Sequence, residues 1–257
     1  MTLKEKIQEK ENIAGIHLNL NDISVGKMAG IAGFDFIWID MEHSYLSFEN
    51  LLNLIIAIQG AGTPVIVRVP QNDLTATKKI LEMGPDGVIF PMIRSAEEAN
   101  RVISYTLYPP YGIRGFGPWN AIDFGFKEAN EYVANNHKDM CRFIQIEHVD
   151  AVKDLDNIIK NEFIDGYIVG ANDLSGSIGE LGNVFGQNTT ALIREVIEKL
   201  NKNDKFVGIS TGDTSLSTIK HWHDTGFKMI SAGADFDFLR DGMKNTLNTL
   251  KDVHLDK

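Results

Sequence analysis

The sequence predicts a (β/α)8 barrel that forms one domain over residues 1–257. Short runs of β-branched and aromatic residues alternate with longer amphipathic stretches along the chain. Eight such runs in 257 residues correspond to about 32 residues per strand–helix unit, which is the spacing of this barrel. No internal repeat or Pro/Gly-rich linker divides the sequence, so the pattern favours one domain.

Each element has its own signal in the sequence. The predicted helices cover 47–58, 73–84, 95–108, 189–200 and 214–225, with Ser47 and Ser95 as N-caps and Gly84 at a helix end. A loop rich in Gly, Pro and aromatic residues at 108–125 is long enough to indicate a functional role. The predicted strands are 12–18, 34–40, 64–69, 86–91, 141–147, 165–170, 206–210 and 227–233.

Charge and composition exclude several classes of protein. With 25 Lys and Arg against 35 Asp and Glu, the net charge is −10, which argues against nucleic acid or an anionic membrane as the main partner. No apolar run approaches the roughly 20 residues of a membrane span, and the N-terminus lacks the apolar stretch of a signal peptide. The single cysteine, Cys141, permits no intrachain disulfide, so we expect a cytoplasmic protein.

Polar residues collect where the predicted strands end. In such barrels the active site lies at the carboxyl ends of the strands, so these positions are the first place to look for chemistry. Strand interiors are apolar by contrast, and this distribution indicates an enzyme. The strand-end residues include His17, Asp40, Glu42, His43, Arg68, Gln145, Glu147, Asn172, Asp173 and Ser210.

Glu147 and Asp173 follow neighbouring strands, so their carboxylates are expected to converge. Two carboxylates without a thiolate suit a hard divalent cation such as Mg²⁺ or Mn²⁺, completed by water and substrate oxygens. The alternative is that each carboxylate pairs with an arginine or caps the next helix. Position alone leaves both interpretations open.

His43 and Arg68 are the other two candidates for chemistry. An imidazole titrates near neutrality, so His43 could act as general acid and base, or it could be a loop residue with structural hydrogen bonds. The Arg68 guanidinium could bind a carboxylate or stabilise an enolate oxygen. It could also form an ion pair with Asp40, and the two roles are compatible.

Other residues carry weaker signals. A Schiff-base mechanism needs a lysine at a strand's carboxyl end, whereas Lys205 and Lys228 lie at strand starts. We expect Cys141 to pack in the core. The glycines after the last two strands could hold a phosphate or form tight turns. The remaining histidines are interpreted as solvated surface residues or weak candidates, namely His137, His148, His221, His223 and His254.

Five stretches together resemble the HpcH/HpaI aldolases, which are class II hydroxy-ketoacid aldolases. They are AGFDFIWIDMEH, PVIVRVPQND, YPPYGIRGFGP, FIQIEHVDAV and DGYIVGANDLSGSIG, and they occur in the family's order. The similarity extends from about residue 13 to 240. It is specific for the family and much less so for the substrate.

The resemblance implies a metal-dependent barrel that cleaves hydroxy-oxo acids to pyruvate and an aldehyde, or catalyses the reverse addition. Glu147 and Asp173 would be the protein ligands of Mg²⁺ or Mn²⁺, with Co²⁺ as a further ion. Arg68 would bind the oxo group and stabilise the pyruvate enolate. His43 would be the acid–base residue, and backbone amides around Asn172 and Asp173 would hold the pyruvate carboxylate.

The resemblance also assigns supporting residues and an assembly. Asp40, Glu42 and Gln145 would support the site, with Gln145 also touching substrate, and Arg114 in the GIRG loop would be a further member. Glu82 stands where a relative has an aspartate that reaches a neighbouring subunit's histidine. Relatives form hexamers in which a C-terminal helix packs on a partner, and residues 234–254 could serve this purpose.

Three other functions are weighed against the aldolase. The first is a citrate-lyase-like enzyme acting on an acyl-CoA, although no basic cluster for the phosphoadenosine stands out. The second is a phosphosugar isomerase that uses the glycines after the last two strands, and the third is a ligand-binding barrel without activity. The sequence leaves the aldehyde partner open.

Overall fold

Eight parallel strands pair in chain order and close into a barrel, as the sequence predicts. The protein is described by a computed structural model that covers residues 1–253. His254, which the sequence assigns to a solvated surface, lies outside these residues. The strands are β1 (Ile13–Leu18), β2 (Phe36–Asp40), β3 (Val65–Arg68), β4 (Gly87–Phe90), β5 (Cys141–Ile146), β6 (Gly166–Val169), β7 (Val207–Thr211) and β8 (Met229–Ala234).

A short helix precedes the first strand and packs on the inner cluster of the barrel, and the later helices follow the strands and cover the outside. Ser47 and Ser95 cap their helices through the side chain, and Gly84 ends another with φ +75, so these three predictions are confirmed. The helices are α1 (Leu3–Gln8), α2 (Ile23–Ile31), α3 (Phe48–Gln59), α4 (Leu74–Glu82), α5 (Ala96–Ser104), α6 (Ala129–Asp139), α7 (Val149–Lys153), α8 (Leu155–Ile158), α9 (Ala171–Gly176), α10 (Gln187–Lys202), α11 (Leu216–Thr225) and α12 (Asp235–Asp252).

Helix α2 had no clear signal in the sequence because it packs through small residues. Gly26 and Gly30 face α3, and a Cβ added to either would lie 2.9 Å from Leu54 or Ala61. Close packing through glycines leaves no apolar periodicity to detect. The long loop at 108–125 is largely irregular, apart from a short 3-10 helix at Asn120–Gly125.

The barrel interior changes from apolar to polar towards the carboxyl ends of the strands. Large side chains fill the lower part, and glycines on neighbouring strands make room for them: a Cβ on Gly15 would lie 2.4 Å from the Phe36 ring. Such layers of inward side chains are typical of the fold. The lower part contains Ile13, Phe36, Trp38, Ile66, Ile89, Phe143, Ile168, Phe206 and Met229.

The C-terminal helix α12 makes little contact with the barrel of its own chain. Of its 18 residues only Asp235 is buried. A groove of about 400 Å³ lies over the outer faces of β1 and β8, lined by Ala14, Ile16, Ile230 and Ala232 among others. The exposed apolar residues of α12 include Phe238, Leu239, Met243, Leu247 and Leu250.

No helix within the described part of the chain combines the length and apolar character that crossing a membrane requires.

Candidate active site

Arg68 occupies the centre of the polar mouth of the barrel. It ends β3 beside Asp40 at the end of β2, since these two residues pair in the sheet. Its Nη2 and Nε atoms donate to the two oxygens of Asp40 at 2.6 and 2.9 Å. This two-point geometry is the strongest form of a guanidinium–carboxylate pair. The ion pair expected as one interpretation of Arg68 is therefore present.

Two further groups hold the same guanidinium. Its Nη1 atom lies 2.9 Å from Glu42 Oε2 and donates to Gln145 Oε1 at 3.3 Å. Only 11% of the Arg68 side chain is exposed, and Trp38 lies beneath it with the ring centroid 5.4 Å from Cζ. The charge of Arg68 is thus fixed in position at the mouth, where an anionic substrate can reach the small exposed part.

Asp40 also organises the turn after β2. Its Oδ1 atom accepts hydrogen bonds from the backbone amides of Glu42 and His43 at 2.9 and 3.4 Å. Burial alone would raise the pKa of Asp40, but the hydrogen bond and charge of Arg68 hold it below its ordinary value. Asp40 therefore stays ionised and holds the Arg68 guanidinium and the backbone amides of Glu42 and His43 in position.

Glu147 is a buried carboxylate at the end of β5, with 2% of its surface exposed. Gln145 Nε2 donates to its Oε2 at 2.9 Å, and the Met92 amide donates to its Oε1. Burial raises the pKa of Glu147 to about 7, and the charges of Glu42 and Asp173 add to this. The Met92 amide and Arg68 act in the opposite direction.

Two backbone features around Glu147 could not be read from the sequence. Met92 adopts a left-handed conformation with φ 53, which is costly for a side chain of this type. At Gly170, an added Cβ would lie 2.4 Å from Glu147 Oε2. The left-handed backbone at Met92 and the absence of a side chain at Gly170 therefore fix the position of this carboxylate.

Asp173 lies in the first turn of α9 and is exposed. Its charge raises the pKa of both Glu147 and Glu42, so the three carboxylates share one region of the mouth. Within residues 1–253 no three or more His, Cys, Asp and Glu side chains form a set that could hold a metal. The oxygen donors of Glu147 and Asp173 nevertheless fit a hard cation whose other ligands are water and substrate.

His43 lies at the rim, with 67% of its side chain exposed. Its Nε2 atom is 3.7 Å from Glu42 Oε2, which in turn contacts Arg68. The imidazole is therefore beside the cluster and open to the space in front of it. This position is compatible with exchange of a proton with a bound substrate.

Arg114 and Glu82 do not join this cluster. Arg114 is buried between Tyr108 and Tyr132, with ring centroids 4.6 and 5.6 Å from its Cζ. Its Nη2 atom lies 3.2 Å from Glu82 at the end of α4. Because the helices run antiparallel to the strands, that end of α4 lies at the opposite end of the barrel from Arg68. Arg114 thus supports the long loop within its own chain.

Lys205, Lys228 and Cys141 lie at or before the starts of their strands, away from the mouth. Lys205 and Lys228 precede β7 and β8, so neither is at the mouth. Cys141 is buried, and burial raises the pKa of its thiol well above the ordinary range, as expected of a core residue. His148 accepts a hydrogen bond from the Asp150 amide at 3.1 Å and caps α7.

A second polar group faces the mouth from the far side and had no assigned role. His17 on β1 bonds Ser231 Oγ through Nδ1 at 3.0 Å and contacts Ser210 Oγ through Nε2 at 3.2 Å. Its ring packs on Trp38 with centroids 4.5 Å apart. The available signal was the alternation of the strands, which turns all three residues inward.

Comparison with known proteins gives a consistent result. The family described as HpcH/HpaI aldolase/citrate lyase matches residues 14–241. A hydroxypyruvate/pyruvate aldolase of Roseobacter denitrificans is 29% identical over 98% of this chain and 95% of its own. A 4-hydroxy-2-oxo-heptane-1,7-dioate aldolase of Escherichia coli is 30% identical over 88% and 85%.

Solved structures agree with this. The crystal structure of an HpcH/HpaI aldolase from Desulfitobacterium hafniense superposes with a TM-score of 0.90 at 27% identity. That similarity covers 98% of this chain and 97% of the other. The likeness therefore extends over the whole barrel and not only over the site.

Proposed function

The chain belongs to the HpcH/HpaI aldolase/citrate lyase family, and from this premise we propose that it cleaves 4-hydroxy-2-oxo acids to pyruvate and an aldehyde, or adds pyruvate to the aldehyde. Family membership makes it an aldolase, a carbon–carbon lyase. The phosphosugar isomerase and the inactive barrel are set aside on the same ground. The observation that carries the proposed reaction is the guanidinium of Arg68, held at the mouth by Asp40 and Glu42.

Arg68 supplies the positive charge that this reaction requires. When the C3–C4 bond of the substrate breaks, or when a proton leaves the pyruvate methyl group, negative charge develops on the oxo oxygen. A fixed guanidinium directed at that oxygen lowers the barrier without reorganising. Asp40 keeps Arg68 in place through its two-point contact, so Asp40 acts as a positioning residue.

Glu147 and Asp173 would hold a divalent cation, Mg²⁺ or Mn²⁺, with Co²⁺ as a further ion. Such a cation, when bound, polarises the oxo group as a Lewis acid. The fit rests on the oxygen donors and on the raised pKa of Glu147, which records how poorly its negative charge is compensated in the protein alone. Gln145 and the Met92 amide orient Glu147 for this role.

The remaining residues would bind the substrate and move its proton. The amides at the start of α9, around Asn172 and Asp173, have no acceptor within their own helix and would take the pyruvate carboxylate. Gln145 would also contact the substrate. His43 would accept the proton of the substrate hydroxyl in cleavage and return it in addition, since its ring is beside Glu42 and open to solvent.

A second copy of this chain is the proposed partner. Helix α12 presents an exposed apolar face, while the groove over β1 and β8 is apolar and open, with Phe238 as the residue that α12 of the same chain contributes to its lining. We expect α12 of one subunit to cover the groove of another in a homo-oligomer, with a hexamer as the expected state. Glu82 would reach a neighbouring subunit's site in such an assembly.

Pyruvate release from a 4-hydroxy-2-oxo acid tests the activity. The pyruvate is followed through a coupled NADH-dependent reduction, first as purified, then after chelation with EDTA, then after Mg²⁺ or Mn²⁺ is returned. We expect the rate to fall on chelation and to recover with the added ion. Turnover that is unchanged after verified metal removal would reject the metal role, and no pyruvate release from any hydroxy-oxo acid would reject the reaction.

A further inference from the structure

Three strands that are neighbours in the closed barrel, β7, β8 and β1, contribute no side chain to the cluster around Arg68. That cluster comes from β2, β3, β5 and the start of α9, so one side of the mouth is left to β7, β8 and β1. These strands carry His17, Ser210 and Ser231, here called the His–Ser–Ser group. Ser210 pairs with Ser231 in the sheet, and the β1–β8 pairing has an irregularity between Gly15 and His17. Such irregularities often redirect a side chain next to a site.

The group has a buried and an accessible end. Ser231 is fully buried and holds Nδ1 of His17 at 3.0 Å. His17 and Ser210 are only partly buried and meet through Nε2 at 3.2 Å. Ser231 therefore anchors the ring from below, while Ser210 and the Nε2 edge of His17 remain within reach of the mouth.

The group also faces the proposed catalytic cluster. The His17 ring packs on Trp38, which lies beneath the Arg68 guanidinium. The charges of Arg68 and Asp40 both act on the imidazole, and burial together with Arg68 lowers its pKa to about 4. His17 is thus neutral at physiological pH, with one ring nitrogen as donor and the other as acceptor.

A neutral group of this kind suits a hydroxyl and not a carboxylate. Each serine hydroxyl can donate one hydrogen bond and accept others, so bonding to His17 leaves capacity on Ser210 for a further partner. No Lys or Arg among residues 1–253 hydrogen-bonds to the group, and Arg68 is already paired with Asp40 and Glu42. A carboxylate there would lack a cation of its own.

We propose that the His–Ser–Ser group is a subsite for the acceptor aldehyde and selects aldehydes that carry a hydroxyl on the carbon next to the carbonyl. The inference rests on the proposed aldolase function. Ser210 binds the hydroxyl, and His17 and Ser231 position Ser210. A site built to bind a hydroxyl rejects the analogue that lacks one, because its polar atoms are left without a partner.

Two aldehydes with the same number of heavy atoms test the subsite: glycolaldehyde and propionaldehyde, each with pyruvate. The measured quantity is kcat/KM for glycolaldehyde divided by kcat/KM for propionaldehyde. This ratio is compared between wild type and variants, so that the difference in intrinsic reactivity of the two aldehydes cancels. In Ser210→Ala we expect the ratio to fall by about tenfold, which is the order of one net hydrogen bond. Ser210→Thr keeps the hydroxyl and should retain the ratio, and Ser217→Ala, at an exposed serine of α11, is the matched control.

A second readout separates failure of the subsite from failure of the proposed function. Exchange of the pyruvate methyl protons in D2O needs no aldehyde, and we expect Ser210→Ala to keep it at the wild-type rate. Retained exchange with an unchanged aldehyde ratio in Ser210→Ala would overturn the subsite alone. No exchange and no aldol product in the wild type would overturn the proposed function and the subsite with it.

Discussion

Arg68 and Asp40 meet through two hydrogen bonds, from Nη2 to Oδ2 at 2.6 Å and from Nε to Oδ1 at 2.9 Å. The pair lies where two neighbouring strands end, and both side chains are largely buried. It leaves Nη1 as the part of the guanidinium directed at Glu42 and Gln145. The geometry therefore depends on a planar, forked cation.

Arg68→Lys keeps the charge but loses this geometry. We expect kcat/KM for pyruvate release to fall by about 10²- to 10³-fold, the range for loss of one donor to a developing oxyanion. The matched control is Arg101→Lys on the exposed face of α5, which should leave the rate unchanged. Near-wild-type kcat/KM in the Arg68→Lys variant would show that the reaction does not require the guanidinium.

Gly170→Ala tests the space around Glu147. The added Cβ would lie 2.4 Å from Glu147 Oε2, so the carboxylate must move. We expect Mn²⁺ affinity, measured by calorimetry, to fall at least about tenfold, as for other residues that orient a ligand. Gly212→Ala is the control, because its Cβ would meet nothing within 4 Å. Equal affinities in both variants would show that Glu147 does not need this position to bind metal.

The sequence predicted the barrel and most of its mouth for one physical reason. Carboxyl ends of parallel strands converge, so Asp40, Arg68 and Glu147 could be placed together from strand ends alone. Arg114 was assigned to the site only through the family resemblance of its GIRG loop. Its partners are set by how that loop folds back on α4 and α6, which periodicity does not reveal.

Other parts of the site depend on backbone details that residue types do not encode. The left-handed backbone conformation of Met92 and the need for a residue without a Cβ at Gly170 both depend on how the chain folds around Glu147. The contacts of His17 require the closure of β8 on β1 and its irregular register. His17 and Ser210 could be assigned to strand ends, but their contact with each other could not.

His17 should make stability depend on pH. Its pKa is about 4 in the folded protein against 6.5 ordinarily, so it contributes stability above pH 6.5 that is lost as pH falls towards 4. The full loss is about 3 kcal/mol in the free energy of unfolding. Glu147 acts in the opposite sense, since its raised pKa of about 7 costs stability as pH rises from 4.5 through 7.

Urea unfolding of the metal-free wild type and of His17→Gln at several pH values isolates the contribution of His17. Glutamine keeps a polar side chain but does not titrate, and the Glu147 contribution is common to both proteins. We expect the wild type to lose more unfolding free energy than the variant between pH 6.5 and 4. Parallel curves for the two proteins would show that His17 titrates normally.

The apolar face of α12 should control assembly. Met243 and Leu247 lie on this face and are exposed in a single chain. We expect Met243→Glu combined with Leu247→Glu to shift the wild-type oligomer to smaller species in light scattering after size exclusion. Lys244→Glu, on the same helix, is the control and should leave the mass unchanged. A wild-type monomer, or a variant oligomer of unchanged mass, would contradict the proposed packing.

A cation held by Glu147 and Asp173 in front of Arg68 is the centre of the proposed reaction. Exchange of pyruvate methyl protons in D2O, followed by proton NMR, tests this most directly because enolate formation is the step that these charges serve. We predict exchange in the wild type with Mg²⁺ or Mn²⁺, loss of exchange after chelation, and a fall of at least about 100-fold in Glu147→Gln, while the exposed control Glu195→Gln stays at the wild-type rate. Exchange that persists after verified metal removal, or that survives in Glu147→Gln, would contradict the proposal that a cation bound by Glu147 and Asp173 supports enolate formation.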